Sequence, residues 1–287
     1  MKILVLGGAS YDEIIHVNEF FEATSTTTIA NESYSTPGST GVGKALALKK
    51  LGFDVAFQAI IGRDIYGKFI SDTIKNAGIE FYPHYVDKTE RHTNTMDKHG
   101  HRISIFNTIA DESDIYVDVY EKLIKDSDIV CLNIINYCRY FIPLIKKHNK
   151  PIFCDIHDYD GKNPHHKDFI ESSDYIFMSS DNLFEYRTYM EKLITKGKQW
   201  VVVTHAEKGA TYLSKNSGFI DIPGNEIDIL DTNGAGDNFF AGFLYGYLNN
   251  LSPLKSLKLG RLSAETCIKS KNIVSSKLNL KYLLKNH

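Results

Sequence analysis

The sequence predicts an α/β fold: a doubly wound, mostly parallel central sheet flanked by helices, with a small β-strand lid. Three observations lead there. Continuous apolar runs of strand length alternate with helix-period segments over most of the 287 residues, and strands apolar on both faces belong to a sheet covered on both sides. A glycine-rich turn, Asp231 to Asp237, opens a C-terminal helix with an apolar face. Two stretches, Asp12–Pro37 and Glu80–Asn107, break the alternation and read as extended chain.

The predicted strands are Lys2–Leu6, Val55–Ile61, Ile129–Ile134, Ile152–Ile156, Tyr175–Ser179 and Trp200–Thr204. The predicted helices between them are Gly43–Leu51, Tyr66–Ala77, Val117–Lys125, Tyr140–His148 and Leu183–Lys196. A further strand, Ile227–Leu230, is expected to run into the glycine-rich turn. The last helices start near Gly234 and near Pro253, the second opened by a Ser252-Pro253 signal. Asp12–Pro37 is rich in Thr and Ser, and "MDKHGHRISIF" places a turn at Gly100 between two extended arms. The two stretches are expected to pair as an antiparallel lid. The chain thus reads as one domain, 1–287, with lid strands from about 12–37 and 80–107.

A net charge of −2, with no run of five like charges, argues against a nucleic-acid partner. The opening "MKILVLGGAS" is too short an apolar run for a signal peptide, and nothing approaches the length that spans a bilayer. Cys131, Cys138, Cys154 and Cys267 lack zinc-site spacing and read as small core residues. A cytoplasmic protein with no membrane partner is expected.

The chemistry concentrates at the C-terminal turn. Where a chain enters a helix, unpaired N–H groups and the positive end of the helix dipole favour an anion, and glycine lets a phosphate approach the backbone. Gly234, Ala235 and Gly236 occupy that position, with Asp237 beside them. A carboxylate next to a phosphate nest can accept the proton of an attacking hydroxyl; the plainer reading, a helix cap, leaves Gly-Ala-Gly and Asp231 unexplained. A second glycine run, Gly38-x-x-x-x-Gly43-Lys44, imitates a P-loop, but Ala45 stands where the Mg²⁺-binding hydroxyl belongs and no core strand precedes it. Gly38, Gly41 and Gly43 instead suggest close approach of backbone to a small ligand.

These residues together resemble the ribokinase-like (pfkB) carbohydrate kinase family over essentially the whole chain. The family motif D-T-x-G-A-G-D is present as Asp231 to Asp237, and its N-terminal pattern appears as Gly38-Ser39, Leu51-Gly52 and Gly62-x-Asp64-x-x-Gly67. The resemblance implies ATP-dependent phosphorylation of a sugar hydroxyl, a primary CH₂OH, with Asp237 as base and the amides of Gly234, Ala235 and Gly236 as anion hole. It implies that Asp12, Gly38, Ser39 and Gly43 face the sugar, to which lid residue Asn94 is added, with Arg91 and His92 as further candidates. It places Thr204, Ala206 and Gly209 along the ATP phosphates, with Asn182 and Asp231 nearby. Mg²⁺ is implied, with Glu185 as candidate ligand, and in some members a monovalent cation such as K⁺ near Asp231. Exposed lid strands in this family often pair across a homodimer.

The departures from the family are specific. Gly43 replaces an Asn that contacts the sugar, and Ala206 replaces the central glycine of T-x-G-x-x-G. The N-x-x-E motif is found only in a shifted register, Asn182 to Glu185, and D-x-N is replaced by Asp155-Ile156-His157. "HDYDG" with His165-His166 is open between solvated loop, ligand contact and metal site. Three alternatives stand beside a sugar kinase. One is a nucleoside kinase, with Tyr82, Tyr85 or Phe106 stacking on a base; another is a binding protein that has lost catalysis. A dinucleotide oxidoreductase rests only on "VLGGAS", without G-x-G-x-x-G.

Overall fold

The computed structural model describes residues 1–20, 24, 25, 27–98 and 101–286. In chain order the strands begin with β1 (Lys2–Leu6), β2 (Ser10–His16), β3 (Glu32–Gly38), β4 (Asp54–Gly62), β5 (Glu80–Val86), β6 (Glu90–Met96) and β7 (Arg102–Thr108). They continue with β8 (Ile129–Asn133), β9 (Ile152–Asp155), β10 (Tyr175–Ser179), β11 (Trp200–Thr204), β12 (Ala210–Ser214) and β13 (Gly218–Ile222). The α-helices are α1 (Thr40–Lys50), α2 (Ile65–Asn76), α3 (Glu121–Asp126), α4 (Ile142–Lys147) and α5 (Lys167–Ser172). After them come α6 (Tyr186–Thr195), α7 (Ala235–Leu248), α8 (Pro253–Ile268) and α9 (Leu280–Lys285).

The main sheet has nine strands in the order β13-β12-β11-β10-β9-β8-β1-β4-β5. From β11 to β5 every neighbour is parallel, and β12 and β13 add antiparallel. Its strands alternate between two cores, because successive side chains point to opposite faces. Ile3 and Val5 of β1 lie in one apolar cluster and Leu4 and Leu6 in the other; Trp200 and Val202 of β11 divide from Val201 and Val203 in the same way. Helices α1, α2, α7, α8 and α9 cover the first face, and α3, α4, α5 and α6 the second. The fold class expected from the sequence is the one observed. None of the described helices is long and apolar enough to cross a membrane, and all four cysteines are buried.

A second sheet, in the order β3-β2-β6-β7, joins the two irregular stretches. The segment β2 pairs parallel with β6, while β2–β3 and β6–β7 are antiparallel, so the expected all-antiparallel arrangement is corrected at its centre. Glu80–Val86 does not belong to this sheet. Its alternation puts it on β4, in register from Ala56↔Glu80 to Gly62↔Val86, as the edge of the main sheet. The expected turn at Gly100 lies outside the described residues.

One further expectation is corrected, and one hairpin is new. Ile227–Leu230 is not a strand: Ile229 and Leu230 are exposed, and Leu230 and Asp231 donate their N–H groups to the carbonyl of Ile268 at the end of α8. The hairpin β12–β13 was not anticipated, although Asn216-Ser217-Gly218 is a turn signal and Gly218 has φ 65°.

Candidate active site

The site lies at the C-terminal ends of the parallel strands, where open α/β sheets bind ligands, and beneath the second sheet. The turn entering α7 is built as anticipated from Gly234 onward. Gly234 is left-handed, with φ 80°, and a Cβ there would sit 2.6 Å from the Ile273 carbonyl oxygen, so no other residue fits without strain. Asn238, one turn on, donates to the carbonyls of Gly234 and Ile273, at 2.8 Å each, and locks the turn onto the segment after α8. A Cβ on Gly236 would meet nothing within 4 Å, so the approach to that backbone is open. Ala235 N–H turns back to the Thr232 carbonyl at 3.2 Å.

Asp237 follows in the first turn of α7, buried at 6% exposure. Its Oδ1 accepts from Lys44 Nζ at 2.6 Å, and the same ammonium lies 3.1 Å from Oδ2 of Asp155, the last residue of β9. Lys44 is 1% exposed. Burial acts to lower its pKa, but Asp237 and Asp155 outweigh burial and hold it above the ordinary lysine value. Burial pushes the Asp237 carboxyl up, and Lys44 pulls it back. Burial would also raise Asp155, yet His157 and Lys44 hold it well below the usual carboxylate range. His157 takes a left-handed turn, φ 53°, and points Nδ1 toward Asp155 Oδ2 at 4.0 Å. The P-loop likeness therefore ends in a lysine committed to two carboxylates. Gly43 lies directly under Asp237: a Cβ at this position would collide with the Asp237 carboxylate.

A second polar cluster sits on the overlying sheet. Asp12 on β2 is 4% exposed and accepts from Ser10 Oγ at 2.6 Å, Asn94 Nδ2 at 3.1 Å and His92 Nδ1 at 3.2 Å. Asn94 in turn accepts from Ser104 at 2.6 Å. Gly38 leaves room for this carboxylate, since a Cβ there would strike it. Ser39, beside it, is left-handed with φ 68°. His92 Nε2 lies 3.0 Å from Glu90 Oε1. Two ring nitrogens facing two carboxylates require both to be N–H, a cation. Burial alone would lower the His92 pKa, but Asp12 and Glu90 outweigh it and raise it to about 9.

Of the residues expected along ATP, Thr204, Ala206, Gly209 and Asn182 gather around the ends of β10 and β11, and Asp231 lies apart from them. Thr204 closes β11, its carbonyl accepting from Ser180 N–H at 3.0 Å. Ala206 takes φ 48° and Gly209 φ 111°. An open groove of about 550 Å³ runs between Ser180, Tyr186, His205, Ala206 and Asp221. Asn182 is bonded to the Asp158 carboxylate at 2.9 Å, and Glu185 is exposed at the start of α6. Asp231 accepts the Tyr34 hydroxyl of β3 on one oxygen and Asn233 N–H at 2.6 Å on the other. It ties the glycine turn to the second sheet.

Two groups left open by the sequence find their places elsewhere in the fold. His165 spends one ring nitrogen on the Ile134 carbonyl at 2.7 Å and the other beside Arg139 at 3.2 Å, and His166 is buried. Among the described residues no group of three His, Cys, Asp or Glu side chains could hold a metal. Tyr82 and Tyr85 lie on β5 of the main sheet, and Phe106 packs on His92 with ring centroids 4.0 Å apart, so the aromatic platform considered for a base is not assembled. Sequence reasoning missed Lys44 as a site residue. Its available signal was a single lysine inside the otherwise apolar run "VGKALAL".

A fold of this topology with a D-T-x-G-A-G-D turn over a buried carboxylate defines a phosphotransferase of the ribokinase type, and comparison with known proteins agrees. The pfkB family carbohydrate kinase profile matches residues 1–279, and the chain belongs to that family. It is a sugar kinase, and ATP is the co-substrate this membership implies. Among similar proteins is the acarbose 7(IV)-phosphotransferase of Actinoplanes sp., 24% identical over 256 residues, covering 86% of this chain and 85% of that one. Another is the ribokinase of Lactococcus lactis subsp. lactis, 25% identical over 284 residues and covering 93% and 90%. Among solved structures, the microbiome-derived acarbose kinase Mak1 superposes with a TM-score of 0.85 at 26% identity, covering 99% of this chain and 97% of that one.

Proposed function

We propose that this kinase moves the γ-phosphoryl group of ATP onto a primary hydroxyl of a sugar or sugar-like acceptor, with Asp237 as the base. The acceptor lies between Asp12, Asn94 and Gly38 of the second sheet on one side and the backbone of Ser39 and Gly43 at the start of α1 on the other. The hydroxyl gives its proton to Asp237 as its oxygen bonds to the γ-phosphorus, and the electron pair of the breaking bond leaves with ADP. The turn of Gly234, Ala235 and Gly236 faces the charge that grows on the phosphoryl oxygens, Ala235 N–H having to leave the Thr232 carbonyl to join it. ATP runs past Asn182, Thr204, Ala206 and Gly209 into the open groove, and β2, β3, β6 and β7 act as the lid that excludes water. The observation that carries the reading is a buried carboxylate, Asp237, three residues after the left-handed Gly234 at the mouth of α7.

Mg²⁺ fits this arrangement as an ion carried by the triphosphate, because among the described residues no group of three His, Cys, Asp or Glu side chains forms a cage and Glu185 stands exposed. When bound it neutralises phosphate charge. A monovalent cation at Asp231 would share oxygens that each already accept one hydrogen bond, using their remaining lone pairs.

The test is a panel of ribose, fructose, glucose, acarbose, adenosine and inosine with ATP, followed by ADP release and ³¹P detection of the phosphorylated product. One of the sugars or acarbose should turn over, and Asp237→Asn should lower kcat by about 10³-fold while binding of a non-hydrolysable ATP analogue changes little. Near-normal turnover in that variant would remove Asp237 from the role. Turnover of the nucleosides alone would favour the nucleoside kinase.

A further inference from the structure

Lys44 has no part in the scheme above, yet it is the most deeply buried charge beside the base. Resting on the reading of Asp237 as base, we propose that Lys44 is a positioning residue that keeps Asp237 ionised and turns one chosen oxygen toward the acceptor.

The geometry supports both halves. Lys44 Nζ touches Asp237 Oδ1 at 2.6 Å and Asp155 Oδ2 at 3.1 Å, and lies 5.3 Å from the Phe240 ring centroid. Oδ1 is thereby occupied. Oδ2 lies over the bare Cα of Gly43, where any side chain would cover it. The pairing of a glycine with a following lysine thus performs two tasks: the glycine uncovers one oxygen, and the lysine engages the other.

The charge argument is as direct. The groups facing Asp237 are Lys44 from α1, Asp155 from β9, His157 from the loop beyond it, and the Cys267 thiol from α8, which also feels Asp231. Without Lys44, buried Asp237 and Asp155 would face each other across a dry site, and like carboxylates so placed hold a proton between them. A base that already carries a proton cannot take one from the acceptor. One ammonium between the two allows both to stay charged. Removing one member of such a buried set leaves uncompensated charge, which the remaining groups relieve by binding a proton.

The test reads the carboxylate itself and needs no acceptor. Protein labelled with ¹³Cγ-aspartate is titrated by NMR, with Asp237→Asn and Asp155→Asn assigning the two signals. In wild type the Asp237 signal should be that of a carboxylate at about pH 7 and above. In Lys44→Met its midpoint should rise by at least about one unit, a tenfold gain in protonated fraction at fixed pH. Lys44→Gln, a milder change, should move it in the same direction, and Lys44→Arg should leave it near wild type. Circular dichroism confirms that each variant is folded. Midpoints within about half a unit of wild type in a folded Met or Gln variant overturn the proposal. So does a wild-type Asp237 midpoint above about pH 7, a result independent of whether any variant folds. A purely structural lysine would alter stability without moving this signal. The kinase reading is tested separately: loss of the Lys44 effect leaves it standing, and full activity of Asp237→Asn would sink it whatever the titration shows.

Discussion

His92 is a charged residue whose state depends on its neighbours. Alone and buried it would lose its proton easily; between Asp12 and Glu90 its pKa rises to about 9 from an ordinary 6.5. The folded protein therefore holds a proton there that the unfolded chain releases as pH climbs past 6.5. This contribution to stability is complete below about pH 6.5 and disappears as pH rises through about 9. Urea unfolding midpoints should fall across that window in wild type and flatten in His92→Gln. Equal slopes in the two proteins would show that His92 is not the group responsible. Residues of this kind differ in how visible they are beforehand. The turn from Gly234 to Asp237 is legible as a helix start because its glycines form a local signal. Lys44 is not, because its meaning comes from a carboxylate 193 positions away.

At the level of elements, the turn from β11 to β12 contains a residue at odds with its conformation. Ala206 takes φ 48°, a region where a Cβ is strained, in the position for which the family motif uses glycine. Ala206→Gly should therefore stabilise the protein by about 0.5–1 kcal/mol, the relief of strain exceeding the entropy that glycine adds to the unfolded chain. Chemical denaturation would measure it, and a loss of stability would contradict it. The interior strands were legible because an apolar run buried on both faces looks the same in sequence as in the sheet. The edges were not. Half-exposed β13 and the amphipathic β5 carry mixed patterns that fit either sheet, and only pairing decides which. Ile227–Leu230 has the strand pattern but no strand beside it to pair with, so the apolar residues remain exposed.

For the whole molecule, the second sheet leaves one long edge uncovered. β7 ends the sheet, and Ile103, Ile105 and Phe106 are 50%, 56% and 58% exposed. An apolar edge of this kind is a template for pairing with another chain. Sedimentation should show a dimer in wild type and a monomer in Ile105→Lys. A monomeric wild type at micromolar concentration would exclude the pairing.

The ion cluster joins a helix near the start of the chain to one near its end, and this has a consequence for synthesis on the ribosome. While Asp237 is still inside the exit tunnel, Lys44 has only Asp155 to neutralise it, and the pocket that will bury it lacks the wall formed by α7. The parallel strands can collapse before α7 emerges, but the contact between Lys44 and Asp237 closes only when α7 docks. Nascent chains arrested before that point should be protease-sensitive around α1 and without phosphotransfer activity, however much of the sheet has already formed.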